Sequence, residues 1–161
     1  MIQALNSPVE VGLRTLFVLA EAYPLALDIG SIVLLDHGIL NSADLGGPIS
    51  LHPPLPARSA ELGVKRQLIE DGLQILIRSE LAELSPSPKG IQFQASEEAQ
   101  GFIELLQTPY AIGLRERARW VVERLLPADE ATIRNILQSV MDNWSGEFFS
   151  TKPLIEDEQY E

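Results

Sequence analysis

LAELSPSPKGIQFQA, residues 81–95, is the stretch whose reading decides the fold. Ile91, Phe93 and Ala95 alternate with Gln92 and Gln94, the period-two pattern of a strand with one buried face. Between LAEL and IQFQA lies SPSPKG, with two prolines and a glycine, the residues that punctuate turns. The segment therefore reads as two short strands around a turn.

Helical signals lie on both sides of it. In NSPVEVGLRTLFVLAEAYP, from residue 6, Ser7 is a good N-cap, Pro8 suits the first helical position, and Glu10 completes a capping box. Val9, Leu13, Leu16, Phe17 and Ala20 make one apolar stripe, and Val11, Val18 and Leu19 a second. A helix apolar on both sides is central to a core or shared with a partner. Pro24 ends it. Asp28 caps a second helix, IGSIVLLDHGIL, and a Gly/Pro-rich loop follows over residues 46–57. ARSAELGVKRQLIEDGLQILIRSE then reads as a short helix, a turn near Gly63 and a longer helix. Beyond the strands, Ser96 is expected to cap EEAQGFIELLQ, Thr108–Pro109 to open YAIGLRERARWVVERLL, and Asp129 to cap EATIRNILQSVMDNW.

Helix, helix, turn, helix, two-stranded wing is the order of a winged helix-turn-helix. The expected fold is mainly α with a small β wing: a winged helix-turn-helix core plus a C-terminal helical extension. Residues 1–96 form a winged-helix-like domain with the loop 46–57 inserted. Residues 97–145 are the C-terminal helices, and 146–161 an acidic tail.

Composition narrows the function. The 161 residues contain no cysteine, which excludes disulfides, thiolate metal sites and a cysteine nucleophile. No secretory signal pattern opens the chain, and no run reaches the ~20 apolar residues of a membrane span, so a cytoplasmic location is expected. The net charge of −11 works against generic nucleic-acid binding. Basic residues gather in 109–126, where four arginines (115, 117, 119 and 124) face two glutamates.

The segment LLDHGILNSADLGGPISLHPPLPARSAEL, residues 34–62, holds both histidines and four prolines. Catalysis there would need a nucleophile, a base and an orienting acid, but no Gly-x-Ser-x-Gly elbow holds a serine. His37 and His52 lack the i,i+4 or HExxH spacing of a zinc site, and DLGGP lacks the lysine of a phosphate-binding loop. No metal ligand set, cofactor motif or catalytic group is expected. The alternative function is a winged-helix DNA-binding regulator. Lys65, Arg66 and Lys89, with Arg115 and Arg119, are its candidate contacts to DNA or to an acidic partner. Against it, four bases face five acids across residues 58–84, and each acid near a phosphate repels it.

Three runs carry a family resemblance: LNSPVEVGLRTLFVLAEAYPLALDI, LLDHGILNSADLGGPISLHPPLPAR and ELGVKRQLIEDGLQILIRSEL. They resemble the middle component of the ABC three-component systems over roughly residues 4–125. Those bacterial operons, the anti-phage Lamassu systems among them, pair an SMC- or Rad50-like ATPase with an effector, often a nuclease, and a small middle protein. The resemblance implies a non-enzymatic subunit that links ATPase to effector in anti-phage or anti-plasmid defence. It would meet DNA only through the complex, and self-association is open to it.

The residues carried over as a structured interface loop are Asp36, Ser42, Asp44, Gly46, Gly47, Pro48, Ser50, Leu51, His52, Pro53 and Arg58. Asn41 and Ala43 stand where family members often have histidine and glycine. From the residues alone, Gly46 and Gly47 are expected to supply unusual backbone angles, and Pro48, Pro53, Pro54 and Pro56 stiffness. A stiff loop loses little entropy on docking. This one reads as a docking loop.

Overall fold

Ser7 starts the first helix as predicted: it has extended backbone angles, and its hydroxyl accepts from the Glu10 amide at 3.3 Å. The computed structural model describes residues 7–49 and 59–126, with helical positions at 131–132, 135 and 138–139. The helices are α1 (Pro8–Ala22), α2 (Ile29–Leu40) and α3 (Ser59–Arg78). Strands β1 (Ala82–Ser87) and β2 (Gly90–Ala95) follow, then α4 (Glu98–Glu104) and α5 (Pro109–Leu125). The chain is mainly helical with one small antiparallel sheet, the class its sequence implies. No helix among the described residues is long and apolar enough to cross a membrane.

Both apolar stripes of α1 are consumed inside the molecule. Val11, Leu16, Phe17, Val18 and Leu19 are all buried, and α1 packs on α3, α5, α2, β2 and α4. It is the central helix. The tightest crossing is at Gly12 and Gly72, where a Cβ on Gly72 would lie 2.8 Å from the backbone of Gly12. Two glycines there let α1 and α3 approach closely enough for Ile69, Leu73 and Leu76 to enter the core. α5 lies against α1 and α2, and its Leu114, Ala118, Val121 and Leu125 belong to the same core.

Three local expectations are corrected. α3 runs unbroken through Gly63 from Ser59 to Arg78. A helical glycine costs only about 1 kcal/mol relative to alanine, less than the long packing of α3 on α1 returns. The turn is shorter than SPSPKG: β1 continues to Ser87, and Pro86 pairs with Ile91 inside the ladder. Ser96 N–H bonds Leu81 O, so alternate β1 positions 83, 85 and 87 face β2 and Pro86 faces outward. Its missing N–H therefore leaves no gap in the ladder. Finally, Ser96 does not cap α4; Glu97 is the cap residue, with no side-chain bond, and the helix stops at Glu104.

The expected last helix from Asp129 lies outside the described residues except at the helical positions given above. The acidic tail lies outside them altogether.

Candidate functional site

Two apolar helices each carry one ionisable residue where none is expected, Arg14 in α1 and Asp36 in α2, and they meet in the interior. Arg14 is 1% exposed and Asp36 0%. Arg14 Nε donates to Asp36 Oδ1 at 2.9 Å, and a second guanidinium nitrogen to Oδ2 at 3.4 Å. From α3, Lys65 Nζ reaches Oδ2 at 3.0 Å with its side chain 18% exposed. One carboxylate thus ties three helices together.

Burial alone would raise the Asp36 pKa, but Lys65 and then Arg14 outweigh it and bring it to about 2. Burial pulls the other way on Arg14, yet Asp36 raises its pKa above the usual value. On the neighbouring turn, His37 is buried. That burial, with Lys65 adding to it, lowers the imidazole pKa to about 4 against the opposing pull of Asp36. At neutral pH this histidine is uncharged. Glu10, half of the expected capping box, hydrogen-bonds Tyr110 of α5, whose pKa burial and Glu10 together raise.

The loop leaves this network directly. Asn41 ends α2 and donates through Nδ2 to His37 O at 3.0 Å. A 3₁₀ turn over Ser42–Leu45 follows. The Ser42 hydroxyl, fully buried, donates to Pro48 O at 2.8 Å, while Gly47 N–H returns to Ser42 O at 2.9 Å. Gly46 is left-handed at φ +77°, so its glycine is required for backbone angle, as expected. Gly47 is required for space instead: a Cβ there would fall 2.6 Å from the indole ring of Trp120.

α5 holds the loop from the side. Arg117 donates from Nε to Ile49 O at 2.9 Å and from a terminal nitrogen to the same oxygen, and bonds Gly113 O at 3.0 Å on its own helix. The Ile49 side chain is nevertheless 82% exposed. The Ser42 bonds within the turn, a tryptophan across Gly47 and an arginine clamping the Ile49 carbonyl fix residues 42–49, with the Ile49 side chain outward.

Arg14 and Trp120 were not singled out from the sequence, and Arg117 was noted only as one of the four arginines of residues 109–126. A basic residue amid the apolar positions of α1 and an acid in the apolar α2 were a readable signal for the Arg14–Asp36 pair. Nothing in the sequence ties Arg117 or Trp120 to the loop, because their partners lie about 70 residues away. Of the interface candidates, the structure brings together Ser42, Gly46, Gly47 and Pro48, while Asp36 bonds Arg14 and Lys65 in the interior. The side chain of Asp44 is not described, and Ser50, Leu51, His52, Pro53 and Arg58 lie outside the described residues.

The basic candidates are dispersed. Lys65 turns inward to Asp36, Arg66 faces Glu70 at 3.6 Å, and Lys89 sits at the hairpin tip. Arg115 and Arg119 flank Glu21 of α1 at 4.0 and 3.6 Å. No three histidine, aspartate or glutamate side chains among the described residues are grouped as a metal site.

The described residues thus form a helical body that fixes a shaped turn after α2, with one carboxylate buried among three helices. Comparison with protein families shows which family the chain belongs to. The model of the ABC-three component (ABC-3C) system Middle Component 2 family matches residues 4–147, and the chain belongs to that family. No curated protein and no solved structure matches it.

Proposed function

We propose that this chain is the non-enzymatic adaptor of its three-component system, linking an SMC- or Rad50-like ABC ATPase to an effector, often a nuclease, in Lamassu-type defence against phage or plasmid DNA. The observation that carries the reading is the loop 42–49: its backbone is fixed by Ser42, Arg117 and Trp120, while Ile49 is presented to the outside. Fixing a loop before it meets a partner removes the ordering cost from the binding step.

In this reading residues 1–96 are a winged-helix-like body used for docking, 97–145 a helical extension and 146–161 an acidic tail. Asp36 supports the interface from beneath. Ser42, Asp44, Gly46, Gly47 and Pro48 shape it, and Ser50, Leu51, His52, Pro53 and Arg58 continue it. The adaptor would hold the effector inactive on the ATPase until the ATPase senses DNA. Charge placement favours this over groove reading, because Lys65 and Arg66 of α3 already face acids. A cytoplasmic complex is expected.

The test is a pair of titrations on the lone, full chain. One uses the purified ATPase component and the other duplex DNA at rising salt. An adaptor binds the protein and leaves the DNA at moderate salt. Retention of DNA with a steep inverse salt dependence, without binding to the ATPase, would establish the regulator instead.

A further inference from the structure

Where the C-terminal end of α1 meets the start of α4, the surface opens into a cavity of about 250 Å³. Ala20, Tyr23, Ala95 and Ala99 line it. Ser96 lies in the same lining; it is 5% exposed, and its hydroxyl has no hydrogen-bond partner among the described residues. A buried hydroxyl without a partner costs free energy, and a serine rotamer change is a small step towards an incoming polar group. Glu97 and Gln100 stand exposed at the rim. The volume falls short of the roughly 300–1,000 Å³ of small-molecule pockets, and has room for a branched aliphatic side chain with part of its backbone.

The surroundings point to a macromolecular owner of that side chain. Ala95 shares its hairpin face with Leu84 and Ile91, which are 54% and 62% exposed, and Tyr23 and Leu25 are exposed on the segment leaving α1. Apolar residues exposed together mark protein contact sites. No basic residue lines the cavity, and Glu97 and Glu98 stand exposed beside it, which favours a neutral or basic segment. We infer that this cavity is an anchor site for a leucine-type side chain, carried on a neutral-to-basic segment of another protein component, with a polar group of that segment meeting the Ser96 hydroxyl. The owner of the side chain rests on the adaptor reading; the chemistry of the cavity does not. A buried apolar anchor in a pocket is the arrangement that concentrates binding energy at interfaces.

Two measurements separate these claims. In the first, the full chain with ¹³C-labelled alanine methyls is titrated with N-acetyl-leucine amide, with N-acetyl-serine amide as control. Ala20, Ala95 and Ala99 are expected to shift saturably with roughly millimolar affinity, and only with the leucine probe. Absence of a saturable leucine-specific shift overturns the cavity as a side-chain site, whatever the chain's role. In the second, the chain is co-purified with its ATPase and effector components as wild type, Ser96→Ala and Ala99→Leu. Ser96→Ala should leave the melting temperature of the lone chain unchanged or raised, yet weaken assembly roughly three- to tenfold. Ala99→Leu fills the cavity and should weaken assembly further. Intact assembly with both variants folded overturns the inference. If the probe binds but wild type joins no component, the adaptor reading and the protein-borne occupant both fall, and the cavity chemistry alone stands.

Discussion

Replacing Asp36 by asparagine keeps the shape of the side chain and removes the carboxylate that both Arg14 and Lys65 contact in the three-helix junction. Arg14, 1% exposed, would then be a buried guanidinium without the carboxylate it is bonded to. Asparagine can still accept one hydrogen bond, but its NH₂ must face a donor on Arg14 or Lys65. Breaking a buried pair from one side costs about 3–5 kcal/mol, a large part of the ~5–15 kcal/mol that holds a domain together. The lowered pKa of the carboxyl gives a second figure. Lowering the carboxyl from 3.8 to about 2 corresponds to about 2 kcal/mol of stability carried by the charge at neutral pH. Because the folded state lowers this pKa, the contribution is complete above about pH 5 and is lost as pH falls towards 2. Urea denaturation at pH 7 and again near pH 3 measures both figures. Asp36→Asn should lose at least about 3 kcal/mol at pH 7, and its gap to wild type should narrow in acid. Lys65→Met should cost less, since Lys65 can reach solvent. A loss under ~1 kcal/mol at pH 7, or a gap that does not change with pH, would refute a carboxylate-centred junction.

Further outcomes follow from neighbouring contacts. His37, held at about 4 against 6.5 unfolded, is neutral in the folded chain while the unfolded chain takes up a proton. Stability should therefore fall by about 3 kcal/mol as pH drops from 6.5 to 4. His37→Gln should flatten the part of that slope above pH 5, where Asp36 does not yet titrate. Gly72→Ala should destabilise by about 1–3 kcal/mol despite its better helix propensity, because its Cβ meets Gly12 backbone at 2.8 Å. Gly101→Ala in α4, with nothing near the new methyl, should gain up to about 1 kcal/mol in the same urea denaturation at pH 7. Arg117→Ala and Trp120→Ala should speed amide exchange at Gly46 and Gly47 in hydrogen-exchange measurements more than at Leu73 in the core. Equal effects at all three would deny that α5 clamps the loop.

The parts of the fold that were legible are those set by local chemistry. Alternation in IQFQA marked β2, and the Ser7 and Thr108 caps with their following prolines marked the starts of α1 and α5. Tertiary packing overrode local signals elsewhere. Gly63 looked like a break but lies within the long α3, and Ser96 looked like a cap but is drawn under the start of α4. Gly47 shows the limit most clearly. Its motif could be read, but its reason is the face of Trp120, 73 positions along the chain, which no local pattern announces. The doubly apolar α1 invited a partner in the sequence, and the structure supplies that partner from within.

The central claim, that the loop fixed by α5 is an assembly surface, is tested most directly by mass photometry. The chain is co-expressed with its ATPase and effector components, as wild type and as Arg117→Ala/Trp120→Ala. The account expects a wild-type complex containing all three components, and a folded double variant that leaves it at least tenfold more readily. A wild-type chain that stays alone while the other two components assemble, or a double variant that assembles as well as wild type, would contradict it.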